Sequence, residues 1–252
     1  MTSGGQGDAP RATPPADTAG VPWGGRELTG TGFDDDTGGA DAALERALHR
    51  VDDEPALMAA VADARLLVPV VAEPVSTTES GGLVAEKQTD MAAVTLVAPD
   101  GQRALPVFTS LETLAAWDGT ARPVPVTAAR AAQAAVSERC DVMVLDVAGP
   151  RSAVLRPSMV WALAQQRPWL PAHEDEQVAR AVAAAVAPEA AVRDHHLEAG
   201  RPAGQGVLGI VLVLEPGLGA ADVEAIATRV GERLATDGEL RARVDGLAFS
   251  IR

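Results

Sequence analysis

Two short apolar runs, Ala92–Ala98 and Arg103–Phe108, flank the tripeptide Pro99-Asp100-Gly101. Asp-Gly tolerates the positive φ of a tight turn, so the two runs are expected to pair as an antiparallel hairpin. Thr109-Ser110-Leu111-Glu112 follows the second run, and a helical pattern then continues to Trp117. A hydroxyl at a strand-to-helix turn could be a nucleophile, but a nucleophile needs a base to activate it. No His lies between His49 and His173, and no Gly brackets the turn as in a nucleophile elbow. The Thr-x-x-Glu spacing instead predicts a capping box, with Thr109 bonding the Glu112 backbone and the Glu112 carboxylate reaching back. Such a cap contributes about 1 kcal/mol.

The core around this unit must be aliphatic. Of 252 residues, 47% are apolar but only 3% aromatic, with no Tyr. Burial of apolar surface is worth roughly 25 cal/mol per Å². The formal net charge of −14 works against binding of nucleic-acid phosphates and of anionic membranes, and no run of basic residues offsets it. No apolar run reaches the ~18 residues of a membrane span. Met1–Pro10 lacks the basic and apolar segments of a signal peptide. The single Cys140 precedes the apolar run Asp141–Val147, where a buried, inert thiol is expected. These features predict a cytoplasmic protein without nucleic-acid or membrane partners. Lys87 is the only lysine, and the wealth of Ala, Arg, Gly and Pro suggests a high-GC coding background.

Residues 1–40, rich in Gly, Pro, Thr and Asp, are expected to form a largely disordered arm. Trp23, Leu28 and Phe33 are its anchoring candidates. Two helical patterns follow, the second with Pro55 in its first turn. "RLLVPVV" reads as a strand, and Pro69 suggests an edge position or a bulge. "RPVPVT" is an extended piece before a helix capped at Thr127. "DVMVLDVAG" is apolar on both faces and is placed inside the sheet. "SAVLRPSMVWALAQQ" adds a short strand and a helix beginning near Pro157 or Ser158.

Pro168 and Pro171 mark a domain boundary. Beyond it the pattern reads helix (Asp175–Ala187), strand (Ala191–Glu198), strand (Gly206–Leu214), helix (Ala221–Ala235) and strand (Gly246–Ile251). Asp222 is expected to cap the second of these helices and Gly238 to end it. The fold class expected is α+β in two small domains. Residues 41–170 form a mixed β-sheet with flanking helices, and residues 172–252 form a ferredoxin-like αββαβ sandwich over an antiparallel sheet.

The segment "EKQTDMAAVTLVAPDGQRALPVFTSLETLAAW" resembles the N-terminal domain of the SseB family, the enhanced-serine-sensitivity proteins of bacteria. The likeness lies in the order polar lead-in, apolar strand, Gly turn, "LPVFTS" and a short helix ending at Trp117. "DVMVLDVAGP" and "AVLRPSMVWAL" continue it, while "WGGRELTGTGF" and "DAALERAL" resemble the lead-in of actinobacterial members. The match covers about Trp23–Gln166, and the portion from about Glu174 is similar to the family's C-terminal domain in element order. The resemblance implies a fold and no catalytic residues.

Other motifs yield little chemistry. His195 and His196 are neighbours on a predicted strand, so they point to opposite faces and cannot easily share a metal. His173 precedes Glu174-Asp175-Glu176, acids that compensate a helix dipole. Asp34-Asp35-Asp36 lacks the spacing of a calcium loop, and "GTGFDD" lacks the strand and third Gly of a dinucleotide site. No catalytic residue, metal site or cofactor is therefore expected. Glu86, Lys87 and Asp90 are the candidate binding residues, with Gln88 and Thr89 between them, because the only lysine stands in a polar stretch beside a strand. The function expected is a non-enzymatic interaction or regulatory protein with an unidentified protein partner and a homodimeric state. It would use an exposed sheet edge near Pro69 or Pro125. The alternative, implied by the family's name, is an amino-acid-responsive module or weak enzyme linked to serine metabolism.

Overall fold

Asp41 opens the first helix of a computed structural model that describes residues 32–33, 35–73 and 90–252. Its carboxylate accepts the N–H groups of Ala43 (2.7 Å) and Leu44 (3.0 Å). The elements of the N-terminal half are α1 (Ala42–Leu48), α2 (Glu54–Asp63), β1 (Arg65–Glu73), β2 (Asp90–Ala93), β3 (Leu96–Val97) and β4 (Arg103–Val107). They continue with α3 (Leu111–Trp117), β5 (Arg122–Thr127), α4 (Ala128–Ser137), β6 (Val142–Leu145), β7 (Ala153–Leu155) and α5 (Pro157–Ala164). The rest are α6 (Glu176–Val186), β8 (Val192–Ala199), β9 (Val207–Leu214), α7 (Ala220–Thr236), α8 (Gly238–Arg241) and β10 (Gly246–Ile251). Trp23, Leu28, Asp34, Glu86, Lys87, Gln88 and Thr89 lie outside the described residues, and Asp90 opens β2 opposite Glu73.

The first sheet has the order β2-β1-β5 and is antiparallel throughout. β1 is its centre, which corrects the expected edge position of Pro69. A central proline is tolerated here because of register. Leu67 exchanges both backbone hydrogen bonds with Phe108 (2.8 and 2.9 Å), so its N–H and C=O point away from β5. Alternate residues share that direction, so Pro69 also turns its nitrogen away from β5. On that side it stands between the Phe108 bridge and the end of β2 at Ala93, and only its carbonyl is used, by Val94 N–H (3.1 Å). β5 is an edge strand, yet Pro125 and Pro123, opposite Leu67 and Pro69, face outward by the same register. Both lack the N–H an added strand would need, so the edge near Pro125 is closed rather than receptive.

The second sheet has the order β3-β4-β6-β7, with β4 and β6 parallel and the outer pairs antiparallel. The expected hairpin is present: Leu96 pairs Ala104 and Val97 pairs Arg103. Gly101 supplies the turn at φ 87°, where a side chain would be strained. β6 lies inside the sheet, as its two apolar faces require. The Leu67–Phe108 bridge joins the first two sheets, and Phe108 packs on Trp117 with ring centroids 5.3 Å apart.

The C-terminal elements follow the expected order, with α8 as an added turn. Their sheet, β10-β9-β8, has three strands and is mixed: β8 runs antiparallel to β9, but β10 runs parallel to it. The wholly antiparallel sheet expected is thus replaced, because α7 carries the chain back across the sheet between β9 and β10. Alternate residues Leu208, Ile210 and Leu212 of β9 pack against Val178 and Val182 of α6 and Ile226, Val230 and Leu234 of α7. A separate cluster fills the N-terminal part, including Leu44, Leu66, Leu105, Met143, Leu155 and Met159. Among the described residues, no helix is long and apolar enough to cross a membrane.

Candidate functional site

Thr109 does not cap α3. Ser110 does, accepting the Thr113 N–H (3.1 Å), while the Ser110 N–H meets Thr113 Oγ1 (3.3 Å). The capping box is real but shifted one residue from the expected Thr109–Glu112 pair. Thr109 is released for another contact. Its N–H donates to Asp146 Oδ1 (2.9 Å) and its hydroxyl to Oδ2 (2.7 Å), with both residues buried. Asp146 itself holds φ 48°, a left-handed conformation more tolerable for Asp than for most residues. Both carboxylate oxygens are thereby occupied by Thr109, and the pair ties the end of β4 to the end of β6. It sits at the floor of an open depression lined by Glu45, Ser110, Glu112 and Arg151.

A second cluster joins chain segments far apart in sequence. Arg156, the residue before Pro157 of α5, makes four hydrogen bonds: to Glu54 Oε1 (2.5 Å) and Oε2 (2.9 Å), Asp245 Oδ2 (2.9 Å) and the Gly204 carbonyl (3.0 Å). Asp245 also accepts the Ser158 N–H (2.7 Å) and hydroxyl (2.9 Å), and Trp169 Nε1 donates to Ser158 Oγ (3.1 Å). The Arg156 guanidinium stands 5.8 Å from the Trp169 ring centroid. Burial disfavours its charge, but the bonds to Glu54 and Asp245 outweigh burial and raise its pKa above the ordinary arginine value. Gly206, at φ 68°, is required beside the cluster: a Cβ there would fall 2.6 Å from Arg156 Nε and collide with Asp245 Oδ2.

Further bonds line the same junction. Arg167 donates to the Ala242 carbonyl (2.8 Å), and Arg243 to Asp175 Oδ2 (2.7 Å). Burial opposes the Asp175 charge, yet Arg243 and two backbone N–H groups hold its pKa below the usual carboxylate value. Between these groups lies a hollow of about 120 Å³, with Arg156, Trp169, His173, Arg243, Gly204 and Pro202 in its wall. Among the described residues, the Arg243 Nε has no hydrogen-bond partner.

The other candidates are dispersed. His195 and His196 of β8 pair with Leu212 and Val211 respectively, on opposite faces of the sheet. His173 lies 3.5 Å from the Glu174 carboxylate, while Asp175 caps α6 through the Gln177 N–H (2.8 Å). Asp222 bonds the Gly219 N–H at the start of α7, and Gly238 opens α8. Cys140 is buried, and burial raises its pKa. Among the described residues no three His, Cys, Asp or Glu side chains gather as metal ligands would.

Sequence reasoning missed Asp146 and the Arg156 cluster. A signal for each exists: a lone acid inside the apolar run "VMVLDV", and an arginine between an apolar strand and an apolar helix. Neither names the distant partner.

The chain is therefore an α+β protein whose polar clusters link its sheets and helices. Residues 41–162 match the family model of the SseB protein N-terminal domain, so this part of the chain is identified as such a domain. No curated protein and no solved structure matches it.

Proposed function

We propose that this chain is a non-enzymatic interaction or regulatory protein that docks a partner by strand addition to the free edge of β10. The supporting observation is a contrast in hydrogen bonding. The two polar clusters described above are closed on themselves: Asp146 is held by Thr109, and Arg156 by Glu54 and Asp245. A general base or nucleophile needs a lone pair directed at a substrate. The edge of β10, in contrast, carries backbone donors and acceptors that no described group engages. An exposed edge of this kind takes an extended segment through main-chain bonds.

Affinity recovery from cell extract tests the reading, with the chain and its Ile251→Lys variant as parallel baits. The expected result is one protein enriched by the first bait and lost with the second. Recovery of nothing above background, or of the same proteins by both baits, removes it.

A second reading, an amino-acid-responsive module or weak enzyme, draws on the hollow beside Arg156 and Trp169. Its volume of about 120 Å³ admits only a small molecule. Thermal-shift measurements across the amino acids discriminate: stabilisation by several degrees with one of them favours this reading over the first.

A further inference from the structure

Among the described residues, the six edges of the three sheets are not equally protected. β3 has two residues, β7 three and β2 four. β5 turns Pro123 and Pro125 outward. β8, "VRDHHLEA", carries Arg193, Asp194 and Glu198 and has an irregular register between Val192 and Asp194. Short length, prolines, charges and bulges are the devices by which edges avoid pairing. β10, "GLAFSI", is six residues long and has no charge and no proline.

Its hydrogen-bond direction follows from the ladder. Arg252 N–H donates to the Leu212 carbonyl (3.0 Å) and the Arg252 carbonyl accepts Leu214 N–H (2.9 Å). Both groups of Arg252 thus point at β9. Alternate residues reverse direction, so Leu247, Phe249 and Ile251 present N–H and C=O outward along the free edge. The same three residues pair with Leu208, Ile210 and Leu212, placing their side chains on the helix-covered face. Phe249 packs beneath α7, near Gly231. Leu247 and Ile251 remain 39% and 40% exposed.

These positions are symmetric about Phe249. We infer that the partner of this edge is a second copy of the chain, joined by antiparallel β10–β10 pairing centred on Phe249. In that register Phe249 opposes Phe249 of the other copy. Leu247 opposes Ile251, and this contact occurs twice. Each opposed pair exchanges two backbone bonds, about six in all. The exposed apolar side chains cover one another as direct cross-strand neighbours. The charge of −14 on each copy disfavours most self-contacts, and this uncharged strand brings no like charges face to face. The product is one six-stranded sheet with both α7 helices on the same side.

This inference rests on β10 being the docking edge, and the test separates the two claims. Sedimentation equilibrium of the full chain across a concentration series is expected to give twice the 25.8 kDa chain mass. Leu247→Glu alone and Ile251→Lys alone each set a charge against an apolar side chain and weaken the dimer by roughly tenfold or more. Combining them opposes the new acid of one copy to the new base of the other, and dimerisation returns. Both sites are surface-exposed, and unchanged circular dichroism verifies folding of each variant. A wild-type chain that stays monomeric overturns the self-pairing. If it still recovers a foreign protein in an Ile251-dependent way, only the self-pairing falls. A dimer that survives both single substitutions overturns the self-pairing, and the docking role of β10 falls as well if affinity recovery is also unchanged by Ile251→Lys.

Discussion

β5 and β10 are both six-residue edge strands, and they end their sheets in opposite ways. β5 places a proline at each of two outward positions, and its sheet stops there. β10 has nothing at the equivalent positions but Leu247, Phe249 and Ile251, with their peptide groups free. The N-terminal part of the molecule is thus finished as a unit, whereas the C-terminal sheet has three strands and an open side. Composition already differs, since β5 holds two prolines and Arg122 where β10 holds no proline and no charge, but composition does not say which way those prolines face. Register does, because it decides which residues face a neighbour and which face solvent.

The largest expected effect concerns the seam of the N-terminal part. Phe108→Ala removes a fully buried ring that packs on Trp117 and bridges two sheets. A loss of about 3–5 kcal/mol is expected in chemical denaturation. An unchanged midpoint would mean that the bridge is not what holds the first two sheets together.

Asp245→Ala comes next. It strips Arg156 and Ser158 of a shared acceptor at the junction of the N-terminal sheets with the C-terminal one. Leaving a largely buried arginine short of a partner costs about 3 kcal/mol. If the two parts depend on this junction for cooperativity, thermal unfolding of the variant broadens or splits. A single sharp transition would show the apolar contacts to be sufficient. Thr109→Val, which removes one donor from buried Asp146, is smaller at about 1–2 kcal/mol and confined to the N-terminal part.

The C-terminal part has its own acid-sensitive tie. Glu189 accepts Arg229 (2.6 and 3.1 Å) and Arg233 (2.8 Å). The Arg229 bonds, followed by those of Arg233 against the cost of burial, lower its pKa from 4.5 to about 2. A depressed carboxylate pKa stabilises the fold above the unfolded value and loses that contribution as pH falls through the folded one. Stability from Glu189 is therefore complete above about pH 4.5 and disappears toward pH 2. Glu189→Gln is expected to flatten this part of the stability profile, as measured by denaturation at a series of pH values. The smallest stability change is expected from replacing Pro123 and Pro125 together by Val. Its consequence is self-association at β5, visible as added mass in light scattering, which would turn the closed edge into a copy of the open one.

Much of the fold was legible in sequence because its elements are locally encoded. The Asp-Gly turn, the cap at Thr127 and the 3.6-residue pattern of α7 each specify structure within a few residues. Pro69 was misread because a proline's meaning in a strand depends on which side of the ladder it faces, and that is set by strands far along the chain. Thr109 and Asp146 lie 37 residues apart, and Arg156 lies 102 residues from Glu54 and 89 from Asp245. Only topology brings such groups together. In a chain where arginine replaces nearly every lysine, no single arginine stands out. The candidate residues Glu86 and Lys87 lie outside the described region, and their role stays a proposal testable by Lys87→Ala in the same affinity recovery.

Trp169 has a spectroscopic consequence. Its indole is 8% exposed, donates to Ser158 and stands beside Arg156, while Trp117 stacks on Phe108 some distance away along the fold. Both indoles pack with the N-terminal elements, but Trp169 stands at the junction and Trp117 at the seam of the first two sheets. With the remaining tryptophans replaced by Phe, emission from one indole would shift to the red when the junction parts, and emission from the other when the N-terminal seam opens. Two variants, each keeping one of these indoles, would then give two separate melting curves from a chain bearing no added label.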